Sequence, residues 1–171
     1  YLCIMNKKTL SFDAFLNYFP EVELPITISE DLVHTADSFN KVLPASAVED
    51  YILKWEDGEV DEYTEYIACF RLPETDEYHA IVYWKGGLMR YEYFLVTLNK
   101  QGELIAKKPV STTISDGNTV KKSVAQIDED LIIHIMAGEN LADEKYDPNN
   151  SKAFNMEIMF TGDIIFSLGD D

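Results

Sequence analysis

Acids and aromatic rings are the residues best placed to do chemistry in this chain. In the stretch WEDGEVDEYTE at 55–65, Asp57, Glu59 and Asp61 alternate, so an extended backbone turns their carboxylates to one side. Oxygen-rich runs of this kind can hold calcium. Gly58 is wrongly placed for the calcium-binding loop, however, and no acid closes that loop at its far end. The expectation is a solvated acidic connector with no resident metal. A second acidic stretch, Asp143, Glu144 and Asp147, carries a weaker version of the same signal.

Tyr78, Tyr83, Trp84, Tyr91, Tyr93 and Phe94 crowd two neighbouring strand-like segments. Such rings either pair across strands, at up to about 1 kcal/mol per pair, or lie open and stack on a sugar or a partner protein. Cross-strand pairing is the plainer expectation. Tyr83, Trp84, Tyr91 and Tyr93 are the aromatic binding candidates, alongside Asp57, Glu59 and Asp61.

Other chemistry lacks its residues. His34, His79 and His134 are far apart in sequence, so none forms a local metal pair, and a structural role is expected for each. There is no G-x-S-x-G elbow. WKGGLMR lacks the glycine-lysine-hydroxyl ending of a phosphate loop, and no G-x-G-x-x-G occurs. These absences speak against nucleotide enzymes and the common serine hydrolases, and no cofactor is expected. Acids from distant strands could still meet in space as a hydrolytic pair. With 31 acids, the sequence singles out no such pair.

Charge narrows the partners. The chain carries 14 basic and 31 acidic residues, a formal −17. Nucleic-acid binding relies on lysine and arginine meeting phosphates and is not expected; anionic membranes are disfavoured for the same reason. The sign reverses locally over 98–122, where Lys100, Lys107, Lys108, Lys121 and Lys122 face only Glu103 and Asp116. A sheet face with interspersed charges is the expectation there, and a docking patch for an acidic partner is the alternative. No apolar run approaches the roughly 20 residues of a membrane span. Cys3 and Cys69 allow one bridge; two unpaired small apolar residues fit better, since Cys69 lies in YIACF. The chain opens on Tyr1. Either an export signal upstream has been removed, or Met5 in MNKKTL is the natural start; no signal peptide lies within the chain, and the compartment stays open.

The elements that must position these groups fall into two parts of one expected domain, 1–62 and 63–171. In the first, Phe12, Phe15, Leu16 and Phe19 form a helical stripe over 9–20, with Ser11 as cap and Pro20 as stop. ELPITIS then reads as extended, with Ile26 and Ile28 on one side. A second helix is predicted over 44–55, with Ser46 and Glu49 as a capping box and Val48, Tyr51, Ile52 and Trp55 as its buried stripe. Residues 29–43 fit either a helical turn or irregular chain.

From about residue 63, eight strand-like runs alternate with turn residues, the pattern of an antiparallel meander. Asn99 to Gly102 suits a type I turn followed by a left-handed glycine, and KGG at 85–87, SDGN at 115–118 and FTGDI at 160–164 read as similar closures. Residues 138–152 read as a long loop. In 91–98, Tyr91, Tyr93 and Leu95 alternate with Phe94, Val96 and Leu98, so both faces are apolar and both need cover. The first helix would cover one face and the sheet, by curling, the other.

The order of these parts resembles a group of uncharacterised bacterial β-meander proteins, many of them lipoproteins. The matching segments are FPEVELP at 19–25, YFLVTLNKQGELI at 93–105 and IDEDLIIHI at 127–135. The resemblance implies a β-rich bacterial protein at the cell envelope and brings no catalytic residues; no lipid-attachment box surrounds Cys3. The fold expected is α+β and mainly antiparallel β, an eight-stranded meander, curved or closed, with N-terminal helices packed on it. The function expected is a non-catalytic binding or interaction module that uses the sheet or the loops at 55–62 and 138–152. A carrier of small apolar ligands inside a closed barrel is the first alternative, and a carboxylate hydrolase the second.

Overall fold

The computed structural model describes residues 9–35, 41–58, 60–141 and 151–167. Glu59, Cys3 and most of the 138–152 loop, with Asp143, Glu144 and Asp147, lie outside them, and so do the expectations placed on those residues. The first helix, α1 (Phe12–Leu16), is shorter than its stripe suggests. Ser11 caps it as expected, its Oγ accepting the Ala14 amide at 3.2 Å. Phe15, Leu16 and Phe19 are buried, each worth about 1.5–3 kcal/mol. Strand β1 (Ile26–Ile28), a single helical turn α2 (Leu32–Thr35) and the two-residue β2 (Lys41–Val42) follow.

The second predicted helix is α3 (Ala45–Asp50), continued as a tighter 3-10 turn over Ile52–Trp55. Its cap differs from the prediction. Pro44 occupies the N-cap without a side-chain bond, so the helix starts too early for Ser46 to cap it.

The rest is strand: β3 (Glu65–Arg71), β4 (His79–Gly87), β5 (Arg90–Leu98), β6 (Leu104–Ser115), β7 (Thr119–Ile127), β8 (Ile132–Leu141), β9 (Ser151–Ile158) and β10 (Ile164–Phe166). One antiparallel sheet takes them in the order β10-β9-β8-β7-β6-β5-β4-β3-β2. It is an open meander with β2 and β10 at its ends; of curved or closed, the structure is curved. The ends of the predicted 138–152 loop belong to β8 and β9, with Gly138 opposite Ser151.

The curvature has a local cause. β6 pairs with β7 only where Thr113–Ser115 face Val120–Lys122. Beyond that corner, Ser123 takes over: its carbonyl accepts from Ser111 Oγ and its own Oγ accepts the Thr112 amide. The edge of β7 that β6 leaves is taken by β1, with Ile26 opposite Ile127 and Ile28 opposite Ala125. Two bulges in the β5–β6 pairing bend the long strand further. At the other end, the β9–β10 turn reaches back to β5. There the buried Thr97 hydroxyl donates to the Gly162 carbonyl at 2.6 Å.

Two cores result. Inside the curl, Ile28, Val82, Leu95, Ile127, Ile133 and Met156 pack together. On the outer face of β3–β5, Phe15, Phe19, Ile52, Ile81, Val96 and Leu98 pack under the helices. The two parities of β5 go to different cores, as its both-sided apolar pattern requires. Among the described residues no helix is long and apolar enough to cross a membrane.

Candidate functional site

The aromatic candidates divide by face. Tyr83 is fully buried in the helix-covered core, stacked on Phe94 with centroids 5.5 Å apart. It has no place in an open binding surface; burial pushes its phenol well above the ordinary tyrosine range. Trp84, the next residue, points the other way, as alternation along a strand demands. It joins Tyr91 and Tyr93 in a groove of about 460 Å³ at the β4–β5 hairpin end of the curl.

The floor of this groove is set by Gly86. The six-membered ring of Trp84 lies across Gly86, where any Cβ would collide with it. KGG suggests a turn in sequence, but the glycines lie within β4, Gly87 pairs with Arg90, and Leu88–Met89 make the turn. Gly86 serves the ring instead: without a side chain there, the indole settles onto the sheet and stacks on Tyr91 at 5.6 Å and 10°. Trp84 is half-buried and Tyr91 is 44% exposed, so the pair leaves ring surface open to the groove. Tyr93 lies beneath and is buried; its phenolic oxygen accepts the Val33 amide at 3.1 Å and so anchors α2 as the opposite wall.

Acids form the rim. Glu30 and Asp31 come from the turn after β1, and Glu65 opens β3; all three are exposed. Glu30 binds the Lys122 ammonium at 3.0 Å. Among the described residues, Asp31 and Glu65 have no basic partner, and no lysine or arginine lines the groove. The lining hydroxyls are engaged: Ser111 with the Ser123 carbonyl, Thr112 with Ser123 Oγ, and Thr113 with Glu30 at 3.5 Å. Nothing in the sequence tied Glu30 or Asp31 to the aromatic strands, because the pairing of β1 with β7 that brings them there is non-local.

Of the acidic candidates, Asp57 and Asp61 fall among the described residues. Asp57 is exposed. Asp61 Oδ1 accepts the Tyr63 amide and the Thr64 hydroxyl, both at 2.9 Å, so this carboxylate serves its own turn. The residue of that run with a demanding position is Glu56, whose side chain is only 6% exposed and pairs with Lys85 and Lys107. The basic stretch is likewise broken up: Lys107 goes to Glu56, Lys100 to Glu74 and Lys122 to Glu30. Lys121 lines a second groove with Lys152, Phe154 and Glu139.

His79 and His134 have structural surroundings, and the side chain of His34 lies outside the described residues. His79 packs edge-on against Phe12 with centroids 5.5 Å apart. His134 bonds Asp128 at 2.8 Å in the β7–β8 connection and holds that carboxyl below its usual range. Cys69 is a free, buried thiol, and burial drives its pKa far up. Among the described residues no group of histidines, cysteines and acids could hold a metal ion. Comparison with family models, with curated proteins and with solved structures finds no match to this chain.

Proposed function

We propose that this chain is a non-catalytic binding module whose recognition surface is the Trp84–Tyr91 groove. The observation that carries this reading is the indole laid across Gly86 and stacked on Tyr91, with ring surface left open between acidic walls. Rings meant only to close a core would be covered, as Tyr83 is. The volume falls at the lower end of small-ligand sites. The hydrolase alternative finds no support in this groove, where a proton donor sheltered from water is needed and Glu30, Asp31 and Glu65 are all exposed. The carrier alternative needs a closed barrel with a hole, and this sheet is open with the inside of its curl filled.

A thermal-shift panel of sugars, amines, amino acids and apolar compounds, run on wild type and Trp84→Ala, tests the proposal. A ligand at one hundred times its Kd adds about 2.7 kcal/mol, which raises Tm by roughly 5–10 °C for a chain of this size. The shift should appear in wild type and vanish in the variant. A panel with no effect on wild type, or an equal shift in both proteins, refutes the reading.

A further inference from the structure

We infer that the groove takes a small organic cation, a substituted ammonium group, held over the Trp84–Tyr91 platform and countered by Asp31 and Glu65. This rests on the binding reading above and names its ligand class. Aromatic faces carry negative charge at their centre and attract cations, most of all weakly hydrated ones that leave water readily. Here a parallel indole and phenol present such faces. Asp31 and Glu65 stand at the rim without basic partners among the described residues, and the chain as a whole carries −17, so the local and the long-range fields have the same sign.

At the rim, Glu30 neutralises the Lys122 ammonium. Anions are therefore disfavoured by every charge lining the groove. Neutral sugars meet a different obstacle. They are recognised by directed hydrogen bonds, yet the hydroxyls of Ser111, Thr112 and Thr113 are already bonded to Ser123 and Glu30, and the carboxylates of Asp31 and Glu65 can accept such bonds but not donate them. Attraction through ring faces and unpaired carboxylates asks for no such direction and suits a soft, rounded cation.

Isothermal titration of the full chain with choline, and with 3,3-dimethylbutan-1-ol as its uncharged isostere, tests the assignment. Choline should bind at least tenfold tighter than the alcohol. Glu65→Gln, an exposed substitution that leaves the core untouched, should weaken choline severalfold and leave the alcohol unchanged. Trp84→Phe should retain part of the affinity that Trp84→Ala loses. Equal binding of choline and the alcohol, or a choline affinity indifferent to both Glu65→Gln and Trp84→Ala, overturns the cation. If the alcohol or a glucose oligomer binds instead and Trp84→Ala abolishes it, the ligand class falls while the groove stands as the binding site. If folded wild type binds none of these probes, the cation falls, and the wider panel decides the groove separately.

Discussion

Replacing Glu56 by glutamine should be the most damaging single change in the acidic 55–65 run. The Glu56 side chain is 6% exposed, and its oxygens reach Lys85 on β4 and, at 3.3 Å, Lys107 on β6. Lys107 also bonds the Trp55 carbonyl and lies 4.4 Å above the Phe94 ring. The carboxylate thus joins the end of the 3-10 turn to two strands of the sheet. Removing one partner from a fully buried ion pair costs about 3–5 kcal/mol. Here the lysine side chains remain 25% and 17% exposed, so water recovers part of the loss, leaving about 2–3 kcal/mol. For a chain of 171 residues, that is a fall in Tm of roughly 5–10 °C.

Urea and thermal denaturation of Glu56→Gln, with Glu62→Gln as an exposed control from the same run, measures the effect. Glu62→Gln should stay within about 0.5 kcal/mol of wild type. The Glu56→Gln deficit should persist in 1 M salt, since sheltered pairs are screened little. Equal stability of the two variants, or a deficit that salt erases, would show that Glu56 is one more surface acid and that this part of the reasoning is wrong.

Two further outcomes follow from packing and titration. Gly162 has φ +92, and a Cβ there would approach Tyr78 Cβ at 3.2 Å; Gly162→Ala should therefore destabilise by about 1–3 kcal/mol. Thr97→Val, which leaves the Gly162 carbonyl without its donor, should cost about 1–3 kcal/mol, and urea titration should find the pair less than additive because both loosen one docked turn; strict additivity would refute that. His79 has its pKa lowered, first by burial and then by Lys100. The unfolded chain therefore takes up the proton more readily, so stability should fall as pH drops below about 6.5. Denaturation of wild type and His79→Gln between pH 5 and 7.5 should show a shallower slope in the variant; parallel slopes would contradict the assignment.

Where local pattern decides the outcome, the fold could be read from the residues. The opposed apolar parities of 91–98 demanded two covers, and two cores supply them. Gly102 takes φ +87 in the turn expected from Asn99 onward. Where a residue's role depends on a distant partner, it could not. Alternation separates Tyr83 from Trp84, but only the position of the helices says which of the two is covered. Gly86 has the local look of a turn glycine, and only the indole lying across it explains why no side chain fits there. Glu56 looked like its acidic neighbours because its lysines come from strands 29 and 51 residues away. Pro44 displaced the expected capping box by starting the helix two residues early.

The ends of the open sheet have a consequence for how copies of the molecule meet. An unpaired border strand is a template on which a neighbour can extend the hydrogen-bonded ladder. Here the terminal members are β2, with two residues, and β10, with three. Among the described residues, so short a border offers an incoming strand few backbone bonds at β2 or β10. Brief outermost strands therefore limit the ladder that a second copy could build on β2 or β10.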